Sequence, residues 1–127
     1  MTPDADRLCP TLMGGLPLVL ADSQARPVRS ASAYAAAWGD PPIVLRCGVP
    51  APPELAADSS LLQINGVAWF TEPGEDGTVW TAVDREVYVD VQVPSGQASG
   101  PVALLSEVIT DRLRPASRPS ASPTPTR

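Results

Sequence analysis

Glu86-Val87-Tyr88-Val89-Asp90-Val91-Gln92-Val93 carries the cleanest periodicity in the chain. Successive side chains of an extended backbone point to opposite faces, so the four valines fall on one side and Glu86, Tyr88, Asp90 and Gln92 on the other. Alternation of this kind describes an antiparallel strand with one face on a core and the other in water. Strand signals continue on its N-terminal side. Val79 to Val83 reads as a strand joined to it through a tight Asp84-Arg85 connection. Leu61 to Asn65 and Val67 to Thr71 meet at Asn65-Gly66, a strong turn or bulge signal. Pro73-Gly74-Glu75-Asp76-Gly77 reads as a loop. Ile43-Val44-Leu45-Arg46-Cys47, a short apolar run bounded by prolines and Gly48, reads as a buried strand.

Helical signals lie outside this run. The opening stretch forms a short helix, stopped by Gly14-Gly15 and Pro17, with Leu8, Thr11 and Leu12 on the face that also carries Cys9. Ser32 to Trp38 is alanine-rich and reads as a second short helix, capped by Ser30 or Ser32 and stopped by Gly39. Tyr34 and Trp38 would share one of its faces. After the extended Pro50 to Pro53 linker, Glu54 to Ala57 suggests one helical turn. Ser99 is a cap for a last helix with Pro101 in its first turn, running to Arg112 or Leu113. Its buried stripe is expected to be Leu104, Leu105, Val108, Ile109 and Leu113. The expected fold is a small single α+β domain over residues 1–113, a mostly antiparallel sheet packed with two or three short helices. Residues 114–127 form a Pro/Ser/Thr-rich tail with no large apolar side chain, and the expectation there is disorder.

Composition narrows the chemistry. The 127-residue chain has no histidine, and all nine of its basic residues are arginine. That excludes a Ser-His-Asp or Cys-His relay, a histidine metal ligand and lysine-based phosphate or Schiff-base chemistry. A net charge of −5 argues against nucleic acid and anionic lipid as partners. No metal or other cofactor is expected. The apolar run Leu16 to Ala21 is too short for a transmembrane segment. Cys9 and Cys47 make neither a four-ligand zinc site nor a CxxC pair. One disulfide is the economical reading, with two buried free thiols as the alternative. Closing a loop of roughly 38 residues would contribute about 4 kcal/mol on the chain-entropy model. A structural disulfide points to an extracytoplasmic location, yet Met1 to Asp6 shows no export signal. The preferred expectation is an exported protein whose export segment is not in this chain. The alternative is a cytoplasmic protein with reduced thiols.

Two segments stand out, Ala33-Tyr34-Ala35-Ala36-Ala37-Trp38-Gly39-Asp40-Pro41-Pro42-Ile43-Val44-Leu45-Arg46-Cys47-Gly48 and Asn65-Gly66-Val67-Ala68-Trp69. They resemble a family of actinobacterial cell-envelope proteins of unknown function, secreted or lipid-anchored. Cys9-Pro10, Leu16-Pro17 and Val87-Tyr88-Val89 fit the same resemblance, which spans roughly residues 8 to 110. It implies that both cysteines belong to a shared framework, which supports the disulfide. It carries no catalytic role.

The site candidate is the corner Trp38-Gly39-Asp40-Pro41-Pro42 with Arg46, and with Asn65 and Trp69 beside it. An aromatic ring for stacking, with a carboxylate and a guanidinium for hydrogen bonds, suits a sugar or a peptide. The plainer alternative is that Trp38 is core and Asp40–Arg46 an internal ion pair. Likewise Trp38, Trp69, Trp80 and Tyr34 form either a binding platform or the bulk of the core. Carboxylate pairs occur at Glu75-Asp76 and Glu86/Asp90, too few oxygens for a calcium loop. The functional expectation is a non-catalytic accessory or binding domain that interacts with an envelope protein or a cell-wall component. The alternative is a small carboxylate- or Ser/Tyr-dependent enzyme on an envelope substrate. A cavity above about 300 Å³ with converging polar groups would separate the two.

Overall fold

A computed structural model describes residues 3–27, 34–96 and 100–116. Two helices, α1 (Pro3–Gly14) and α2 (Gly100–Arg112), enclose eight strands in sequence. These are β1 (Val19–Leu20), β2 (Ser23–Arg26), β3 (Ala35–Trp38), β4 (Ile43–Val49), β5 (Leu62–Ile64), β6 (Val67–Gly74), β7 (Gly77–Ala82) and β8 (Tyr88–Pro94). They form one antiparallel sheet in the order β1-β2-β3-β4-β8-β7-β6-β5. The expected α+β class therefore holds.

Cross-strand register fixes which side chains share a face. Leu62, Trp69, Ala82, Val89 and Cys47 lie opposite one another in a single row across five strands. Cys47 is bonded to Cys9 of α1, with Cα atoms 5.8 Å apart and both residues fully buried. Trp69 in the same row donates its indole N–H to Ser106 Oγ of α2 at 2.8 Å. Both helices therefore cover the same face. The buried valines Val87, Val89, Val91 and Val93 face them with Leu45 and Ile43, and Leu105 and Ile109 of α2 are buried in the same core. At roughly 25 cal/mol per Å² of apolar surface, burying side chains of this size contributes about 1.5–3 kcal/mol each.

Several local expectations are corrected. Ala35–Trp38 is a strand rather than the end of a helix, while residues 32 and 33 lie outside the described region. Four residues are too few for alanine's helix propensity to outweigh the pairing of Ala35–Trp38 with β4 and of Ala37 and Trp38 with β2. Glu54 to Ala57 contributes only turns, closed by Leu55 N–H to the Pro52 carbonyl at 3.1 Å and Ser59 N–H to the Ala56 carbonyl at 3.0 Å. In α2 the buried stripe is Val102, Leu105, Ser106, Ile109 and then Leu113, whereas Leu104 is 43% exposed. Ser99, the expected cap, lies outside the described residues. Backbone pairing continues past Leu113, because Pro115 bridges to Arg85 and Ala116 N–H donates to the Asp84 carbonyl at 2.8 Å, and residues 117–127 of the expected tail lie outside the described residues.

Turns are tighter than the sequence suggested. Asn65 and Gly66 both have positive φ, 48° and 89°, as expected for a two-residue hairpin turn. Ala21 and Asp22, at 47° and 71°, make the same kind of connection between β1 and β2 without an Asn-Gly signal. The Pro73 to Gly77 loop reduces to the pair Glu75-Asp76, because β6 runs to Gly74 and β7 starts at Gly77. Gly77 has φ 147°, and a Cβ there would stand 2.1 Å from the Val93 carbonyl oxygen. The collision is with backbone of the paired strand, so no side-chain rotation relieves it. Gly77→Ala should lower unfolding free energy by about 1–3 kcal/mol, measurable by urea denaturation.

Candidate functional site

The five residues singled out in sequence are not gathered at one point. Trp38 is 1% exposed, and its indole N–H donates to the Pro17 carbonyl at 2.9 Å. Trp69 is fully buried, bonded to Ser106 and edge-on to Trp80, with ring centroids 6.3 Å apart and planes at 83°. Both tryptophans thus belong to the core, with their polar N–H groups satisfied. Asn65 anchors α2, donating from Nδ2 to the Ala103 carbonyl at 3.0 Å and accepting at its own carbonyl from Thr110 Oγ1 at 3.0 Å. Asp40 projects into solvent from the β3–β4 turn, 3.8 Å from Arg26 Nη1.

Arg46 lies on the face of the sheet opposite the helices. Its partner is Asp90, not Asp40. Nε donates to Asp90 Oδ1 at 3.0 Å and Nη2 to Oδ2, a two-pronged pairing that matches a planar guanidinium to a carboxylate. The alternation of Glu86 to Val93 suggested a solvated Asp90, yet its side chain is only 6% exposed. Hydrogen bonding to Asp90, and secondarily its charge, raises the Arg46 pKa above its ordinary value, against the opposing effect of burial. The Arg46 guanidinium therefore stays protonated across the working pH range.

A buried cation missed by the sequence reading sits at the other end of the strands. Arg85, 4% exposed, pairs with Asp84 at 3.2 Å and donates to the Gly66 carbonyl at 3.1 Å and Thr110 Oγ1 at 3.3 Å. Asp84 Oδ2 also accepts from the Ala68 N–H at 3.1 Å. This network joins the β5–β6 turn, α2 and the segment through Ala116, and its role is to hold elements together.

The concave feature is a cleft of about 450 Å³ on the face of the sheet without helices. Val44, Gln92, Val79 and Glu72 form its floor, one residue from each of β4, β8, β7 and β6, directly opposite one another in register. Pro41 and Pro42 of the β3–β4 turn close one end, and Glu75 and Asp76 of the β6–β7 hairpin the other. The hairpin is tied back to β8, with Ser95 N–H on the Asp76 carbonyl at 2.9 Å and Ser95 Oγ donating to the Glu75 carbonyl at 3.2 Å. The Gly39 to Pro42 corner therefore contributes its prolines to a cleft, while Trp38 turns inward. Sequence alternation places Val44, Val79 and Gln92 on strands, but not in one row. Among the described residues no group of three or more metal-ligating side chains forms a metal site, and no helix is long and apolar enough to cross a membrane.

A one-sided α+β sheet with a buried disulfide and an open cleft defines a small stapled domain. The family described as protein of unknown function (DUF3515) matches residues 1–117, and the chain belongs to it. No curated protein and no solved structure matches.

Two outcomes follow from these contacts. Arg46→Met strands a buried carboxylate, whereas Asp90→Asn leaves a half-exposed guanidinium that water can reach. The first should cost about 3 kcal/mol and the second less, compared by thermal denaturation at neutral pH. Separately, Tyr34 donates its hydroxyl to Asp6 Oδ1 at 3.0 Å. That hydrogen bond, then desolvation and the charge of Asp6, raises the phenol above its ordinary pKa. The neutral phenol is the favoured form in the fold, so its stabilising contribution is present below about pH 10 and lost above. Ultraviolet titration should show one tyrosine ionising late, and Asp6→Asn should bring it back toward the ordinary value.

Proposed function

We propose that this protein is an exported, non-catalytic accessory or binding domain of the actinobacterial cell envelope, which engages an envelope protein or a cell-wall component. The observation that carries this reading is the Cys9–Cys47 disulfide, fully buried between α1 and β4. Such bonds persist in oxidising compartments and are rare where cellular reductants keep thiols free. Net charge −5 and the absence of lysine fit a partner other than nucleic acid. The resemblance of residues 33–48 and 65–69 to envelope proteins supports the same location. The sheet face opposite the helices, with its cleft, is the surface offered to the partner.

A cleft of about 450 Å³, above the mark of about 300 Å³, with the carboxylates of Glu72, Glu75 and Asp76 around it favours a second reading, a small enzyme on an envelope substrate, carboxylate-dependent rather than Ser/Tyr-dependent. Release of soluble fragments from isolated wall material, abolished by Glu72→Gln, would establish it over the first.

Fractionation of an actinobacterial host, followed by alkylation of the denatured, unreduced protein, tests the main reading. The protein should appear in the envelope or culture fluid with neither cysteine labelled, and with both labelled only after reduction. Recovery from the cytoplasm with two free thiols would overturn it.

A further inference from the structure

The cleft has a polarity along its length, and that polarity selects an occupant. Its floor crosses four adjacent strands, β4, β8, β7 and β6, through Val44, Gln92, Val79 and Glu72. Three interstrand spacings of about 4.8 Å make a trough of roughly 14 Å, the span of about four residues of extended polypeptide. The β4 end is apolar, closed by Pro41 and Pro42 against Val44. The β6–β7 end is acidic, with Glu72 on the floor and Glu75 and Asp76 at the rim. No basic residue lines the cleft, and among the described residues none of the three carboxylates has an ion-pair partner. Arg46, the basic residue of the neighbouring row, is already committed to Asp90. Gln92 stands midway, presenting an amide that both donates and accepts.

We propose that this cleft binds an extended peptide segment of a partner protein, carrying a proline or aliphatic residue and, about three positions away, an arginine or lysine. The apolar residue lies against Pro41, Pro42 and Val44. The stem of the basic residue covers Val79, and its cation sits among Glu72, Glu75 and Asp76. Gln92 hydrogen-bonds the peptide backbone between them. Three like charges around a partly apolar floor repel one another, and a bound cation relieves that repulsion while its aliphatic stem leaves water. The proposal rests on the binding-domain reading above and specifies its site and ligand class. Location and thiol state are measured separately, so failure of the peptide experiment leaves that broader reading standing.

The test uses the full-length oxidised protein and the blocked peptide Pro-Ala-Ala-Arg, titrated by two-dimensional amide NMR. Shifts should concentrate at Val44, Glu72, Gly77, Val79 and Gln92. Binding should weaken at least threefold in Glu72→Gln and in the double variant Glu75→Gln/Asp76→Asn, with melting temperatures unchanged. It should weaken several-fold between about 20 and 200 mM salt, as exposed charge pairs are screened. Pro-Ala-Ala-Glu and arginine amide alone should bind at least threefold less well. Absence of shifts at about 5 mM peptide, weaker than any useful affinity, would overturn the proposal. Equal binding of the glutamate peptide, or unchanged affinity in the neutralised variants, would also overturn it. Equal binding of arginine amide would show a cation subsite without a peptide trough, and would overturn the extended-segment assignment.

Discussion

The covalent link between Cys9 and Cys47 commits the helical layer to one side of the sheet. Cys47 belongs to the same cross-strand row as Val89, Ala82 and Trp69, so tying α1 to it places α1 on the face where α2 receives the Trp69 indole. In that row Cys47, Val89, Ala82 and Trp69 are then fully buried, while Leu62 at its β5 end stays half exposed. The opposite face is left to alternate residues of the same strands. The disulfide thereby holds the helical side of the sheet as core and, by exclusion, leaves the opposite face uncovered by helices.

The exposed face is not uniformly polar, because two of its rows do different work. The row through Arg46, Asp90 and Thr81 is consolidated by an internal ion pair, with Asp90 and Thr81 nearly inaccessible. One step along the strands, the row through Val44, Gln92, Val79 and Glu72 stays partly open and floors the cleft. Ion pairing of this sort adds little net stability to a fold compared with apolar packing of equal volume. What it adds here is a fixed, electrically neutral neighbour, which leaves the carboxylates at the hairpin end as the uncompensated charge of that region.

The cleft and the residues that hold the core together are therefore separated in space. The aromatic residues that drew attention as binding candidates, Trp38 and Trp69, supply bulk to the core, and their indole N–H groups are used within the chain. Arg85 and Asn65 fasten α2 and the end of the described chain to the β5–β6 turn. The cleft draws instead on ordinary residues, valines, prolines, a glutamine and acids, none of which stands out in composition.

By itself the sequence determined the class of fold, the strand identity of residues 43–47, 67–71 and 88–93, the Asn65-Gly66 turn and the last helix, and it favoured a disulfide over two free thiols. These follow from local rules: period-two alternation, turn residues that tolerate positive φ, and a helical apolar stripe. Tertiary structure alone decided that Ala35–Trp38 pairs as a strand, because a short alanine run takes the conformation its neighbours can hydrogen-bond. It also decided that Arg46 meets Asp90, 44 residues away, rather than Asp40. The cleft lies at the same level, since alternation assigns each residue a face but carries no information on register between strands. Only the hydrogen-bonded ladder set Val44, Gln92, Val79 and Glu72 side by side.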